Sequence, residues 1–159
     1  MEPGRSARKL VHRGAIWVLA QTGLMGAVLV CGAWWHSQWR CWVVDGLGFA
    51  LLGGAAICGI WGAVNLRGSL SPFPRPHPGA RLVQSGIYAF MRHPLYTSVM
   101  AAAAGWALIR QSWPALAATL ALAVFLDQKA RREERWLGER FQAYRAYQRR
   151  TRKFIPWLY

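Results

Sequence analysis

Two long apolar runs in the N-terminal half constrain the fold of this chain more than any other feature. The first runs from Ala15 to Trp35, and the second runs from Trp42 to Leu66 with Asp45 as its one charged residue. Because an α-helix rises 1.5 Å per residue, about 20 residues cross the ~30 Å hydrocarbon core of a bilayer. Hydrophobic residues make up 54% of the chain and charged residues only 16%, which argues against a soluble domain. The pattern predicts an all-α integral membrane protein.

Two further apolar segments predict a helical hairpin. They run from Leu95 to Ile109 and from Trp113 to Leu126, with three residues between them and Pro114 placed to begin the second helix. Each is short for a full span, so both must extend beyond these bounds or be shielded at their ends. The first apolar run exceeds the apolar core of a signal peptide, so we interpret it as a retained span. We therefore expect a single membrane domain, residues 1–159, with about four transmembrane helices near 15–35, 42–66, 95–109 and 113–126.

The remaining segments are polar or charged. From Arg67 to Arg92 the chain is rich in proline, which disfavours helix, so we predict a loop over residues 67–94. Beyond Asp127, Leu137, Phe141 and Tyr144 recur at i, i+4 and i+7 among many arginines. This spacing predicts a basic amphipathic helix that continues the fourth span and lies on the membrane surface. We expect residues 127–159 to form this interfacial helix and an aromatic tail.

The net charge of +14 indicates topology rather than nucleic-acid binding. Basic residues flank the apolar runs instead of clustering on a soluble face, and 18 of the 20 Lys and Arg lie in the N-terminal leader, the long loop and the tail. An even number of spans puts these three regions on one side, and the positive-inside rule makes that side cytoplasmic. We expect a multi-pass protein of a bacterial inner membrane, with both termini in the cytoplasm. The expected partners are membrane lipids and not nucleic acid, and the oligomeric state stays open.

The cysteines predict no special chemistry. Cys31, Cys41 and Cys58 lie within or beside apolar segments without CxxC spacing. An odd count with no pattern predicts neither a disulfide framework nor a metal site.

The stretch GIYAFMRHPLY places polar residues where an apolar helix is about to begin. Pro94 suits the first helical position, because its missing N–H would have no partner there. The free backbone N–H groups after it, together with Arg92 and His93, predict an anion-binding site facing the cytoplasm.

Further residues converge on the same predicted face. Tyr88 and Tyr96 add aromatic rings and hydroxyls, and the acidic pair Glu133 and Glu134 emerges beyond the fourth span. An anion-binding helix start, aromatic rings and a carboxylate can together hold a small zwitterion with a positive centre. Each residue also has a structural explanation, as a flanking charge, a helix cap, an interfacial aromatic or an i, i+4 ion pair. Convergence from two separate regions favours a site.

Two motifs carry a family resemblance. SGIYAFMRHPLY, from Ser85 to Tyr96, and EERWLGERFQAYRAYQRRTRKFIPW, from Glu133 to Trp157, stand on either side of the predicted hairpin. Together they resemble the isoprenylcysteine carboxyl methyltransferase family and its bacterial phospholipid-methyltransferase-like relatives. The similarity runs from Leu82 to the end, and the two-part pattern is specific where RHP alone would be weak.

The resemblance implies S-adenosylmethionine-dependent methyl transfer to a small or lipophilic acceptor at the cytoplasmic face. Such an acceptor would be an isoprenylcysteine-like carboxylate, a thiol or a lipid amine. Lys129 stands where eukaryotic members have an arginine thought to meet the substrate, so it and Arg92 are candidates for binding substrate or assisting catalysis. Lysine keeps the charge but loses the bidentate fork. By position, the cofactor-binding residues would be Leu82, Val83, Tyr88, His93, Pro94, Leu95, Tyr96 and Glu133.

No nucleophilic side chain or metal is required, because methyl transfer depends on in-line positioning in dry surroundings. Two residues depart from the family pattern: Gln142 replaces a glycine, and Ile87 replaces a frequent proline. The identity of the methyl acceptor therefore stays open, and so does the choice among O-, S- and N-methylation. Two other functions also stay open. One is a reductase of the sterol or steroid type with a nicotinamide cofactor, and the other is a non-enzymatic membrane assembly or lipid-binding protein.

Overall fold

The computed structural model describes residues 14–37, 40–66 and 82–159. These residues contain helices and connecting segments and no β-strand. A one-turn 3₁₀ helix, Gly86–Ala89, precedes the hairpin. The α-helices within the described ranges are α1 (Ala15–Trp34), α2 (Trp42–Asn65), α3 (Pro94–Ile109), α4 (Trp113–Arg140) and α5 (Tyr144–Arg150).

The helices follow the apolar segments closely. α1 and α2 are long and apolar enough to cross a membrane, whereas α3 has 16 residues and is short for a span. α4 runs without a break from its apolar part into the charged region beyond Asp127. The all-helical class and two candidate spans are therefore confirmed. The four-span topology and the side of the termini stay predictions, and the basic leader and residues 67–81 of the predicted loop lie outside the described residues.

Small residues allow α2 and α3 to approach closely. A Cβ built on Gly105 would lie 2.7 Å from the Gly48 carbonyl oxygen, a distance that real side chains do not adopt. One end of the same contact is formed by Gly62, which packs against Pro94 and Leu95. Glycine weakens helices in water, but between membrane helices it permits this kind of backbone contact. Helices α1 and α4 form the other major contact of the bundle.

The outer surface of α1 and α2 is apolar. Large apolar side chains that point away from the bundle include Ile16, Leu19, Leu29, Trp42, Phe49, Ile57 and Ile60. A monomeric soluble protein rarely exposes so extended an apolar surface, because its contact with water is unfavourable. The surface is suited to contact with lipid.

The turn of the α3–α4 hairpin is hydrogen bonded to the end of α1 and, through Gln111, to the start of α2. The Ser112 hydroxyl accepts a hydrogen bond from the Ala115 N–H, which caps α4, and donates to the Cys31 carbonyl at the end of α1. Arg110 Nε donates to the Gly32 carbonyl across 2.9 Å. The hairpin expected from the short RQS connection is thus present and is fixed at its turn.

The C-terminal region differs from the prediction. α4 ends at Arg140, Phe141 has extended backbone, and the chain turns back into α5. Tyr144 and Tyr147 are buried against the interior instead of lying along a membrane-facing stripe, and the Tyr147 hydroxyl donates to the Tyr88 carbonyl across 2.7 Å. The predicted continuation of the fourth span into a charged helix is confirmed as far as Arg140. A single helix that also includes Tyr144 was wrong, because burying two tyrosines is more favourable than continuing one straight helix. Phe154, expected in an interfacial tail, is also buried.

Candidate functional site

The C-terminal tail lies directly across the start of α3. A parallel backbone bridge joins Met91 to Arg152. The Arg92 N–H donates to the Arg152 carbonyl across 2.8 Å, and the His93 N–H donates to the Lys153 carbonyl across 3.0 Å. The tail thus covers residues that are about 60 positions away in the sequence.

This pairing corrects the predicted anion site. The N–H groups of Tyr96 and Thr97 also have an acceptor, because both donate to the His93 carbonyl at 3.1 and 3.0 Å. Two of the backbone amides expected to be free for an anion, those of Tyr96 and Thr97, are therefore used within the chain. The physical reason is the His93 carbonyl, which accepts from the first turn of α3, while the carbonyls of the returning tail bind the amides that precede the helix.

Tyr96, His93 and Glu133 form a compact cluster between α3 and α4. The Tyr96 hydroxyl donates to Glu133 Oε2 across 2.9 Å, and His93 Nδ1 lies 3.9 Å from the same oxygen. The His93 and Tyr96 rings are stacked, with centroids 5.3 Å apart and planes within 3°. The Glu133 side chain keeps 27% of its surface exposed, so its carboxylate is accessible to a ligand.

The neighbouring acid, Glu134, is committed to the fold. Its Oε1 accepts from Arg92 Nε at 2.7 Å and is hydrogen bonded to His93 Nε2 at 3.1 Å, while Oε2 accepts from Gln148 at 3.0 Å. Burial alone would raise the pKa of Glu134, but the hydrogen bonds and positive charge from His93 and Arg92 outweigh burial and lower it to about 2. Adjacent glutamates thus have different roles.

Arg92 joins the same network and is not available as predicted for substrate. Besides its ion pair with Glu134, its guanidinium donates to the carbonyls of Thr151 at 2.6 Å and Gln148 at 3.2 Å. Nε and one of the two terminal nitrogens of the guanidinium are therefore bound by the protein itself. This arrangement makes Arg92 an anchor for the tail, and we do not assign it to substrate binding.

Lys129 lies beside the cluster and is 2% exposed. Its Nζ donates to Gln21 Oε1 of α1 across 2.6 Å and lies 5.3 Å from the centroid of the Tyr96 ring. Burial lowers the pKa of Lys129, and the charge of Glu133 acts in the opposite direction. Sequence reasoning missed Gln21, although an amide inside an apolar span was the available signal.

The other predicted cofactor residues pack in separate places. Tyr88 is buried with Ile87 and Met91, and Val83 packs against that group. Burial, with a further contribution from the charge of Glu133, raises the pKa of Tyr88. Pro94 and Leu95 instead contact Gly62 of α2, and Leu82 is half-buried at the beginning of the described segment. No group of three or more His, Cys, Asp or Glu side chains within the described ranges could hold a metal ion.

The comparisons with known proteins give one matching family model and two similar proteins. The model of the phospholipid methyltransferase family matches residues 44–144, which include most of α2, all of α3 and α4 and the motif residues between them. The cobalt-zinc-cadmium resistance protein CzcN of Cupriavidus metallidurans and the nickel-cobalt-cadmium resistance protein NccN of Alcaligenes xylosoxydans xylosoxydans are each 30% identical over 149 residues. The match covers 92% of this chain but only 65% and 66% of those proteins, so the chain spans about two thirds of their length. Because the family model matches more than half of the chain, the protein belongs to the phospholipid methyltransferase family, a family of membrane methyltransferases.

Proposed function

We propose that the protein transfers a methyl group from S-adenosylmethionine to a small or lipophilic acceptor at the cytoplasmic face of the membrane. The observation that carries this proposal is the cluster of His93, Tyr96 and Glu133, which the fold assembles from two distant motifs. Family membership supports the reaction class. The proposal includes a multi-pass topology with both termini in the cytoplasm.

The donor set fits this cofactor. The accessible carboxylate of Glu133 suits the amino group or the ribose hydroxyls of S-adenosylmethionine. The stacked rings of His93 and Tyr96, with Tyr88 nearby, offer aromatic surfaces that stabilise a cation. When bound, the cofactor supplies an electrophilic methyl group on a sulfonium.

The protein's own residues bind, orient and exclude water. Tyr96 fixes the Glu133 carboxylate through its hydroxyl, and the stacked His93 restricts the Tyr96 ring. Phe154 of the tail packs against the His93 ring, with ring centroids 5.8 Å apart, and so shields the cluster from solvent. Excluding water strengthens the electrostatic contacts within such a site.

We assign binding of the methyl acceptor to Lys129. Its ammonium is buried among Gln21, Tyr96 and Glu133, so it would attract an acceptor with an acidic group. A carboxylate or thiolate acceptor needs no general base, whereas an amine must arrive deprotonated. Leu82, Val83, Pro94 and Leu95 complete the proposed surroundings of the cofactor.

Calorimetric titration of S-adenosylhomocysteine into detergent-purified protein tests this function. We expect Glu133→Gln to weaken binding about 10- to 100-fold, because it removes a charge-assisted contact of about 1.5–3 kcal/mol. Glu139→Gln is the matched control, since it removes the same charge from an exposed position of the same helix.

Titration of a reduced nicotinamide cofactor forms the second arm. Binding of that cofactor without S-adenosylhomocysteine binding would overturn the methyltransferase and favour the reductase. Failure of a folded protein to bind either molecule would favour a non-enzymatic role.

A role in resistance to divalent metal ions is a second candidate, favoured by the names of the two similar proteins. It is tested by deleting the gene and measuring growth in cobalt, zinc and cadmium. Rescue by the wild type but not by Glu133→Gln would make resistance depend on the proposed site. Equal rescue by both would separate resistance from methyl transfer.

A further inference from the structure

A groove of about 600 Å³ lies between the end of α4 and α5, on the side of Glu134 away from Glu133. Its lining includes three arginines, Arg131 and Arg135 from α4 and Arg145 from α5. No role in the proposed methyl transfer is assigned to these arginines. The groove is therefore a separate feature of the cytoplasmic part of the molecule.

Tyr144 lines this groove, and its hydroxyl is buried. The residue is 2% exposed, and its hydroxyl has no hydrogen-bond partner among the described residues. Gly138, which also lines the groove, leaves space beside the Tyr144 ring. Buried hydroxyls are almost always paired with a protein group, a water or a ligand. The Tyr144 hydroxyl is therefore a donor without a partner among the described residues, on a side chain that lines the groove.

The charge of the groove favours an anion. The groove is lined by three arginines and two acids, Glu134 and Glu139. Glu134 is already paired with Arg92 and His93. Arg131 Nε pairs with Asp127 across 2.7 Å, so Arg131 is already engaged, whereas Arg135 and Arg145 are exposed. A smaller groove of about 470 Å³ shares Arg131 and Glu134 and adds the basic side chains of the tail. Guanidinium groups from two helices match the oxygens of a phosphate in geometry and charge.

The position of the groove along α4 favours a lipid phosphate. Arg131 lies five residues beyond Leu126, the last residue of the predicted fourth span, or about 7.5 Å at 1.5 Å per residue, and Arg135 lies nine residues beyond it, or about 13.5 Å. Side chains on a helix are tilted toward the N-terminus of that helix, which for Arg135 is the direction of the predicted span. The headgroup layer occupies about 5–8 Å on each side of the hydrocarbon core. Leu158 lines the adjoining groove, and it and Trp157 are 77% and 83% exposed, as side chains at an interface are.

We propose that this groove binds the phosphate of an anionic lipid headgroup, with Arg135, Arg145 and the Tyr144 hydroxyl as donors. The site is distinct from the cofactor cluster, and it does not depend on the methyltransferase proposal. It gives the protein a binding preference among the lipids that surround it.

Native mass spectrometry of the full-length protein with added phosphatidylglycerol, phosphatidylcholine or glycerol phosphate tests the proposal. We expect the wild type to bind phosphatidylglycerol at least 10-fold more tightly than phosphatidylcholine. The double variant Arg135→Gln/Arg145→Gln should lose this preference, whereas Arg149→Gln/Arg150→Gln, with the same loss of charge outside the groove, should keep it within about 2-fold. Equal losses in both variants would overturn a specific groove, and equally tight binding of glycerol phosphate would overturn a lipid ligand.

Tyr144→Phe tests the hydroxyl without removing charge. We expect a melting temperature in lipid-free detergent that is unchanged or higher, together with a smaller increase on adding phosphatidylglycerol. A lower melting temperature with an unchanged response to lipid would show that the hydroxyl is structural and would overturn its part in the site. S-adenosylhomocysteine binding, measured on the same samples, should be unchanged in all these variants.

Discussion

The Tyr96 hydroxyl donates a 2.9 Å hydrogen bond to the Glu133 carboxylate and so joins the first turn of α3 to α4. The next residue along α4, Glu134, instead accepts from Arg92 and is hydrogen bonded to His93. Two adjacent acids therefore take different partners from one short motif. Glu134 stabilises the junction, whereas the Glu133 side chain stays partly exposed, as the proposed role in cofactor binding requires.

Tyr96→Phe should weaken S-adenosylhomocysteine binding about 3- to 10-fold. The variant keeps the ring that stacks on His93 but leaves Glu133 without the hydroxyl that orients it, a loss of about 1 kcal/mol. Calorimetry measures the effect. Tyr159→Phe is the control, because the Tyr159 hydroxyl also binds a carboxylate, that of Asp127, away from the cluster. Equal affinities in the wild type and Tyr96→Phe would contradict the assignment.

The folded protein should become less stable in acid, because Glu134 is then protonated. Its pKa is about 2 in the folded protein against an ordinary value of 4.5, so its contribution is complete above about pH 4.5 and is lost as the pH falls toward 2. Thermal unfolding in detergent between pH 2.5 and 7 measures this. Glu134→Gln should lower the melting temperature at pH 7, because breaking a buried ion pair costs about 3–5 kcal/mol, and should flatten the acid dependence. An unchanged slope in the variant would assign the acid dependence to other groups.

Gln21 and Lys129 should be energetically coupled. Gln21→Leu removes a 2.6 Å hydrogen bond from a buried ammonium, which we expect to destabilise the protein by about 1–3 kcal/mol. When Lys129 is replaced by Met, the same change at Gln21 should cost much less. A double-mutant cycle on unfolding free energies gives the coupling, expected at about 1 kcal/mol or more. Strict additivity would show that the two side chains act independently.

Gly105→Ala should destabilise the α2–α3 contact by about 1–3 kcal/mol, because the added methyl meets the backbone of Gly48. Gly53→Ala is the matched control on α2, since a Cβ there meets nothing within 4 Å. It should be neutral or stabilising by up to about 1 kcal/mol. Melting temperatures of the two variants measure the difference. A larger loss at Gly53 would contradict the packing of this face.

The predicted topology is tested by reporter fusions. Green fluorescent protein fused after Tyr159 should fluoresce, and alkaline phosphatase inserted between α1 and α2 should be active, because the first fluoresces in the cytoplasm and the second is active outside it. The physical basis is the distribution of basic residues. A fluorescent terminus with inactive phosphatase at the α1–α2 connection would contradict the orientation of the first two helices.

The helices and the motif residues of the cluster could be predicted from local patterns. Apolar run length and the proline at the start of α3 set helix bounds to within a residue or so, since both act through neighbours in the chain. The end of α4 could not be predicted in this way. The spacing of Leu137, Phe141 and Tyr144 suits a helix, but the buried contacts of α5 with the 3₁₀ turn decide the path of the chain.

The sequence by itself determined that the chain is helical and apolar, and it included His93, Tyr96 and Glu133 in a wider set of candidate site residues. Only the tertiary structure decided that Arg92 is bound by Glu134 and the tail, and that Gln21 contacts Lys129. Periodicity and capping depend on residues within a turn of one another, so the sequence contains them directly. The choice of a hydrogen-bond partner among several acids and carbonyls depends on how distant segments pack, and burial fixes that choice only once the chain has folded.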